Sequence, residues 1–318
     1  MRRVFSSMLL VGVFMSIFCI LPATSQNAII RVPSDYPTIQ GAINGAHEGD
    51  TIEVASGFYQ ENLHINKTLT LIGNNQSTVL DGKGGTAIEA NATTVSISGF
   101  KITNATTGIL LNHCQLSFVT ENSVNQCNTG IWLYGSDNST VSDNTVVDCD
   151  LFGILLCGHS GEDLVTGNTL KDNGNGVGVS GPNSRIYHNN FINNQNQTAI
   201  IDSFPNAWDN TYEGNYWSDY NGTGFDNYGI GDSPYIIEQS VTLWNIDHYP
   251  LENPYILGDV NHDAVVDIVD ISIIATAFQT QPGDNNWNSH ADIDESGQID
   301  IVDITITATR FGNVWIQP

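Results

Sequence analysis

The strongest constraint on this chain is a short phrase, apolar-x-x-Asn-x-apolar, that keeps returning along it. It stands at Val119/Asn122/Val124, Val141/Asn144/Val146, Val165/Asn168/Leu170 and Ile186/Asn189/Phe191. Ile97/Phe100/Ile102 precedes these with Phe in the Asn slot, and Ala207/Asn210/Tyr212 follows. Successive copies are 21 to 24 residues apart. A second phrase, Gly-apolar-x-apolar, runs beside it from Gly108, Gly130, Gly153 and Gly176. Both alternate with period two, the mark of a strand with one buried face. Both are bounded by Asn, Gly, Asp and Ser, which favour turns. Short strands and tight turns on a repeat of ~22 residues describe the coils of a parallel β-solenoid.

In a solenoid each coil stacks on the last at the ~4.8 Å spacing of paired strands, so equivalent residues form ladders. The apolar slots then build the core, and the Asn slot builds an amide ladder with a structural role. Near the N-terminus Ile39, Ala42, Ile43 and Ala46 share one face of a short helix, and Pro37 suits its first turn. An open first coil needs a cover, and this helix is expected to provide it.

Charge narrows the function. The chain has 34 Asp and Glu against 9 Lys and Arg, a net charge of −25. A surface so acidic repels phosphate backbones and anionic lipid, which argues against nucleic acid and membrane surfaces as partners. Residues 1–25 read as a secretory signal peptide: Arg2 and Arg3, an apolar run from Val4 to Leu21, then Ala23-Thr24-Ser25. The run is also about long enough for a retained anchor. On either reading the remainder is exported, secreted or attached at the cell surface.

From the helix through "GDTIEVASGFYQENLHINKTLTLIG" and the coils, the chain resembles the right-handed parallel β-helix superfamily of pectin-lyase-like proteins. "GNYWSDYNGTGFDNYGIGDSPYII", closing with "DHYPL", more specifically resembles the NosD-type family. The resemblance implies an all-β domain, a right-handed single-stranded parallel β-helix over residues 26–255. It implies little about chemistry, because the superfamily holds lyases, hydrolases, epimerases and non-catalytic surface proteins. The NosD name suggests copper, which favours Met, Cys or His ligands. Every Met lies in the leader, and His113-Cys114 and Cys157/His159 fall two coils apart, so no copper is expected.

Over residues 256–318 the pattern changes to two segments that match at a constant offset of 33. Oxygen-bearing residues recur at loop positions 1, 3, 5, 9 and 12: Asp259, Asn261, Asp263, Asp267 and Asp270, then Asp292, Asp294, Ser296, Asp300 and Asp303. Val265 and Gln298 would add backbone carbonyls at position 7. This spacing wraps a hard cation in oxygens, and two calcium ions are expected. Position 12 is Asp where the EF-hand has Glu, and position 6 is Ala264 in the first loop but Gly297 in the second. One helix follows each loop and none precedes it. The arrangement resembles the type I dockerin, an α-helical calcium module, and the resemblance implies a cohesin-like domain as partner. It also points to positions 10 and 11, Ile268-Val269 and Ile301-Val302, as partner-binding residues; packing inside the module is the alternative.

Catalysis has no motif. Asp148 and Asp172 should sit one coil apart, as an acid–base pair for glycoside hydrolysis, a cation site or two turn residues. Glu121 and Asp143 form a similar pair. Six basic residues, Arg31, Lys67, Lys83, Lys101, Lys171 and Arg185, show no cluster for a lyase. Cys127 and Cys149 should be neighbours, as a disulfide or as buried thiols, and the states of Cys114 and Cys157 stay open. Aromatics crowd residues 204–255, to close the solenoid or to stack on sugars. The sequence therefore reads as an exported two-module protein. A β-helix presents a polysaccharide- or surface-ligand-binding face, and a calcium module docks it to a cohesin-bearing partner. A tethered polysaccharide hydrolase or lyase and a structural surface component are the alternatives.

Overall fold

The structure, a computed structural model, describes residues 27–315 apart from 203, 223 and 239–244, so the leader and Trp244 lie outside the described residues. The chain winds into a right-handed parallel β-helix of three sheets, with eight, seven and eight strands. Strand pairing follows the repeat: Val119 faces Ile97 and Val141, Val141 faces Val165, and Val165 faces Ile186. The inward ladders, such as Ile102, Val124, Val146, Leu170 and Phe191, are fully buried. The Gly phrase has a packing cause. A Cβ at Gly108 would stand 2.5 Å from Gly130 O, and one at Gly153 2.7 Å from Gly176 O, so stacked coils leave no room for a side chain there.

Each coil turns three corners. At the first, the residue before the Asn slot has positive φ: Glu121, Asp143, Gly167 and His188. The Asn behind it then satisfies the corner. Asn144 Nδ2 donates to Val119 O (2.8 Å), Ser142 O (2.9 Å) and Asn168 Oδ1 (3.0 Å), while Asn144 N donates to Asn168 Oδ1 (3.0 Å). Two further inward ladders escaped the sequence reading. One runs Ala105, Cys127, Cys149, Asn173, Asn194; the other runs Ser117, Ser139, Asp163, Ser184, Asn206. Their rungs mix residue types, so no single letter runs the length of either ladder. Cys127 and Cys149 are neighbours as the register requires, and all four described cysteines are free thiols.

The last repeat departs from the expected register. Ala207 pairs with Arg185, so Trp208 rather than Ala207 takes the slot beyond Ile186. Asn215 continues the Asn ladder in place of Asn210, because residues 209–214 bulge out between the two slots. The ladder ends on Asp247, which accepts from Asn215 N (2.7 Å) and Trp217 Nε1 (2.8 Å). Burial pushes its carboxyl up to about 7. Here Phe191, Trp217 and Tyr235 stack with centroids 4.2 Å apart at each step. Trp208 and Trp217 are buried at the solenoid's end, whereas Phe204, Tyr212 and Tyr249 of the same aromatic segment are exposed. At the other end helix α1 (Ile39–Gly45) starts two residues after Pro37, capped by Thr38, and buries Ile39, Ala42 and Ile43.

Candidate metal centre and docking module

The C-terminal module consists of two loop–helix halves. Helix α2 (Ile268–Thr276) follows the first loop and α3 (Ile301–Thr309) the second. Each helix starts with a reciprocal cap. Asp267 accepts from Val269 N while Asp270 accepts from Asp267 N, both at 2.7 Å; Asp300 and Asp303 repeat the arrangement. Asp270 also accepts from Val260 N (2.8 Å), and Asp303 from Ile293 N (2.7 Å), which ties position 12 back to the loop's start. Position 1 closes the turn: Asp259 accepts from Asp263 N and Ala264 N, and Asp292 from Ser296 N and Gly297 N. Position 6 is left-handed in both, φ 70° at Ala264 and 80° at Gly297.

Carboxylate oxygens of Asp292, Asp294 and Asp303 lie within 4.8 Å of one another, the one such cluster of acidic, His or Cys ligand atoms among the described residues. In the first loop Asn261 holds the place of Asp294. Burial raises the carboxyl of Asp259 to about 7 and also raises those of Asp270 and Asp292. The donor set is wholly oxygen, which fits a hard cation and not copper or zinc. The module's own core is Val260, Ile274, Ala277, Ala291 and Ile299. Phe278 and Phe311, at matching places after α2 and α3, are exposed and lie outside that core. Ile268 and Val269 are 61% and 45% exposed, Ile301 and Val302 61% and 44%, so neither pair packs inside the module.

Sequence spacing missed a set of ionisable residues between module and β-helix: Glu213 with His188, His262 and His290. They come from separate segments and share no local pattern. The one available signal was position 4 of each loop, a non-ligand that is nevertheless ionisable, His262 and Glu295. Burial opposes the Glu213 charge, but His262, His188 and His290 outweigh it and hold its carboxyl well below the usual range.

Residues 19–222 match the family described as periplasmic copper-binding protein (NosD), and residues 257–311 the dockerin type I domain. The chain belongs to the NosD family. Over 154 residues it is 27% identical to a probable ABC transporter binding protein NosD of Stutzerimonas stutzeri, covering 43% of this chain and 30% of that one. Over 73 residues it is 36% identical to a protein of the same description from Pseudomonas aeruginosa, covering 22% and 17%. The NosD-family chain thus spans less than a third of these relatives' length. Among solved structures it is similar to Geobacillus virus E2 ORF18 (TM-score 0.46, 16% identity, 59% and 47% coverage). It is also similar to an alginate lyase from Paenibacillus sp. (0.42, 15%, 56% and 80%).

In this NosD-family β-helix, Asp148 and Asp172 are exposed and occupy the left-handed position of the second corner, at φ 55° and 53°. They stack one coil apart, since Val147 pairs with Lys171. Asn104, Gln126 and Asn193 hold the same corner position in other coils. Lys171 Nζ lies 3.8 Å from Asp172. Glu121 and Asp143 stand likewise at the first corner. Cys114 donates its thiol to Ala90 O at 3.1 Å, whereas Cys157 accepts from Trp132 Nε1 at 3.0 Å. No helix among the described residues is long and apolar enough to cross a membrane.

Proposed function

We propose that this is an exported docking protein whose C-terminal module holds two calcium ions and grips a cohesin-bearing partner, while the β-helix presents a face to a glycan or other surface ligand. The supporting observation is the matched exposure of Ile268-Val269 and Ile301-Val302. Each pair opens a helix whose first turn is tied to an oxygen-lined loop, so the pairs stand at fixed places on the surface. Exposed apolar side chains so held suit a protein partner. Asp259, Asn261, Asp263, Asp267, Asp270 and the Val265 carbonyl would hold one ion. Asp292, Asp294, Ser296, Asp300, Asp303 and the Gln298 carbonyl would hold the other. Calcium supplies positive charge that offsets the crowded carboxylates and so favours the closed loop and the capped helix.

The test is a titration of the full chain with cohesin domains, in millimolar calcium and in chelator. We expect binding in calcium alone. We expect it to vanish when Ile268, Val269, Ile301 and Val302 are all replaced by Asp, with calcium uptake retained. Binding that survives chelator, or survives the fourfold substitution, overturns the docking role. A polysaccharide panel addresses the β-helix: binding without product supports a presenting module, and turnover lost in Asp148→Ala or Asp172→Ala identifies an enzyme.

A further inference from the structure

The C-terminal module does not hang from the β-helix on a free linker. Tyr255, midway along the connection, donates its N–H to Asn190 Oδ1 at 2.6 Å, and Asn190 Nδ2 donates to Tyr255 O at 3.1 Å. The Tyr255 ring stacks on His188 with centroids 4.1 Å apart. Beyond this pin, contacts come from the two oxygen-lined loops and from the short segment just before the second loop.

In each loop the contact residue is position 4, which is not among the proposed ligands. It is His262 in the first loop and Glu295 in the second, with matching left-handed backbone at φ 51° and 53°. His262 Nε2 stands 3.6 Å from Glu213 Oε2, and His262 Nδ1 lies 2.9 Å from Tyr228 O. Glu295 accepts from Tyr187 Oη at 2.8 Å and from Asn210 Nδ2 at 2.9 Å. His290, two residues before the second loop, reaches Glu213 Oε1 at 2.5 Å and stacks on Tyr228. Glu213 is buried and also meets His188 at 2.7 Å. Two loops related by an internal repeat thus hold the solenoid through the same position.

We propose that the two loops are the fastening that seats the module on the last coils of the β-helix, so that ion binding and seating form one coupled equilibrium. The inference rests on the calcium reading above. Position 4 lies between ligand positions 3 and 5 in one tight turn. Carboxylates at positions 1, 5 and 12 of the first loop (Asp259, Asp263, Asp270) and 1, 3 and 12 of the second (Asp292, Asp294, Asp303) repel when no cation offsets them, and that repulsion loosens the turns that aim His262 and Glu295. Coupling is reciprocal: contacts that favour the seated loop must raise calcium affinity by the same factor by which calcium favours seating. The partner-binding pairs are exposed with the module seated, so partner capture does not require release.

The experiment uses the full chain, with calcium alone as probe. Its variants are Tyr187→Phe/Asn210→Ala and Glu213→Gln, none of them a proposed ligand. Calorimetric calcium titration is paired with the radius of gyration from small-angle scattering, in calcium and in chelator. We expect the wild type to be more extended in chelator. We expect calcium affinity to fall by roughly tenfold at one site in the double variant, from loss of two hydrogen bonds to a charged group. Glu213→Gln should move affinity in the same direction. If either variant fails to fold by circular dichroism, the other carries the test. Unchanged affinity in a folded variant, with equal radii in calcium and chelator, overturns the seating and leaves the calcium reading standing. No heat of calcium binding in the wild type removes both.

Discussion

Asp163 occupies a slot that neighbouring coils fill with Ser139 and Ser184, and it does so without full satisfaction. Its Oδ1 accepts from Ser139 N at 2.9 Å, but Oδ2 and the Ser184 hydroxyl have no partner among the described residues. Burial pushes the carboxyl up to about 8. The folded chain therefore prefers the protonated acid. That stabilisation is intact below the ordinary pKa near 3.8 and is lost as pH rises through about 8. Asp163→Asn stays neutral throughout and gains an amide donor. We expect its melting temperature to match the wild type near pH 4 and exceed it at pH 9, by roughly 1–3 kcal/mol of stability. A wild-type-to-variant difference that stays flat with pH would refute this. Asn144→Ala removes a donor to three buried acceptors, and we expect a loss of about 2–4 kcal/mol, read from denaturant midpoints. At this scale the sequence was legible wherever one residue type repeats, as in the Asn ladder. It was opaque at Asp163, where the slot is defined by depth and neighbours and any small polar side chain fits, although the register alone placed Cys149 beside Cys127.

A strand of three residues is too short to be stable alone, so each coil depends on its neighbours and on its ends. Trp217 pairs with Phe191 in the last rung of its sheet and lies between the Phe191 and Tyr235 rings. Trp217→Ala should cost about 3–5 kcal/mol and promote association through the uncovered end, measurable by melting and by light scattering. The two oxygen-lined loops make a second element-scale case. Ala264 carries φ 70° where Gly297 carries 80°, and alanine is strained there. Ala264→Gly should tighten the first site about two- to fivefold, as read by calorimetry. The repeat revealed the coils and the offset revealed the loops, because stacked or duplicated elements must reuse their chemistry. The shift from Asn210 to Asn215 was hidden for the opposite reason: a bulge at the solenoid's end has no neighbour whose pattern it must copy.

For the whole molecule, two modules were legible and their contact was not. Glu213, His262 and Glu295 each look like ordinary surface charges in sequence, and only the fold brings them together. We expect digestion between residues 252 and 258 to be slow in calcium and at least several-fold faster in chelator, since cleavage follows the population of the open form. Equal rates would place the connection in the open already. The same stretch has a mechanical consequence. Seven residues separate Leu251, which bridges Tyr216 in the solenoid, from Asp259. Fully extended they would reach about 24 Å, but the Asn190 clamp on Tyr255 divides that reach into two short runs. A partner gripping the outer helix pairs would therefore feel a lever and not a rope. The β-helix would leave whatever anchors the module at one inclination, with the same flank always turned outward.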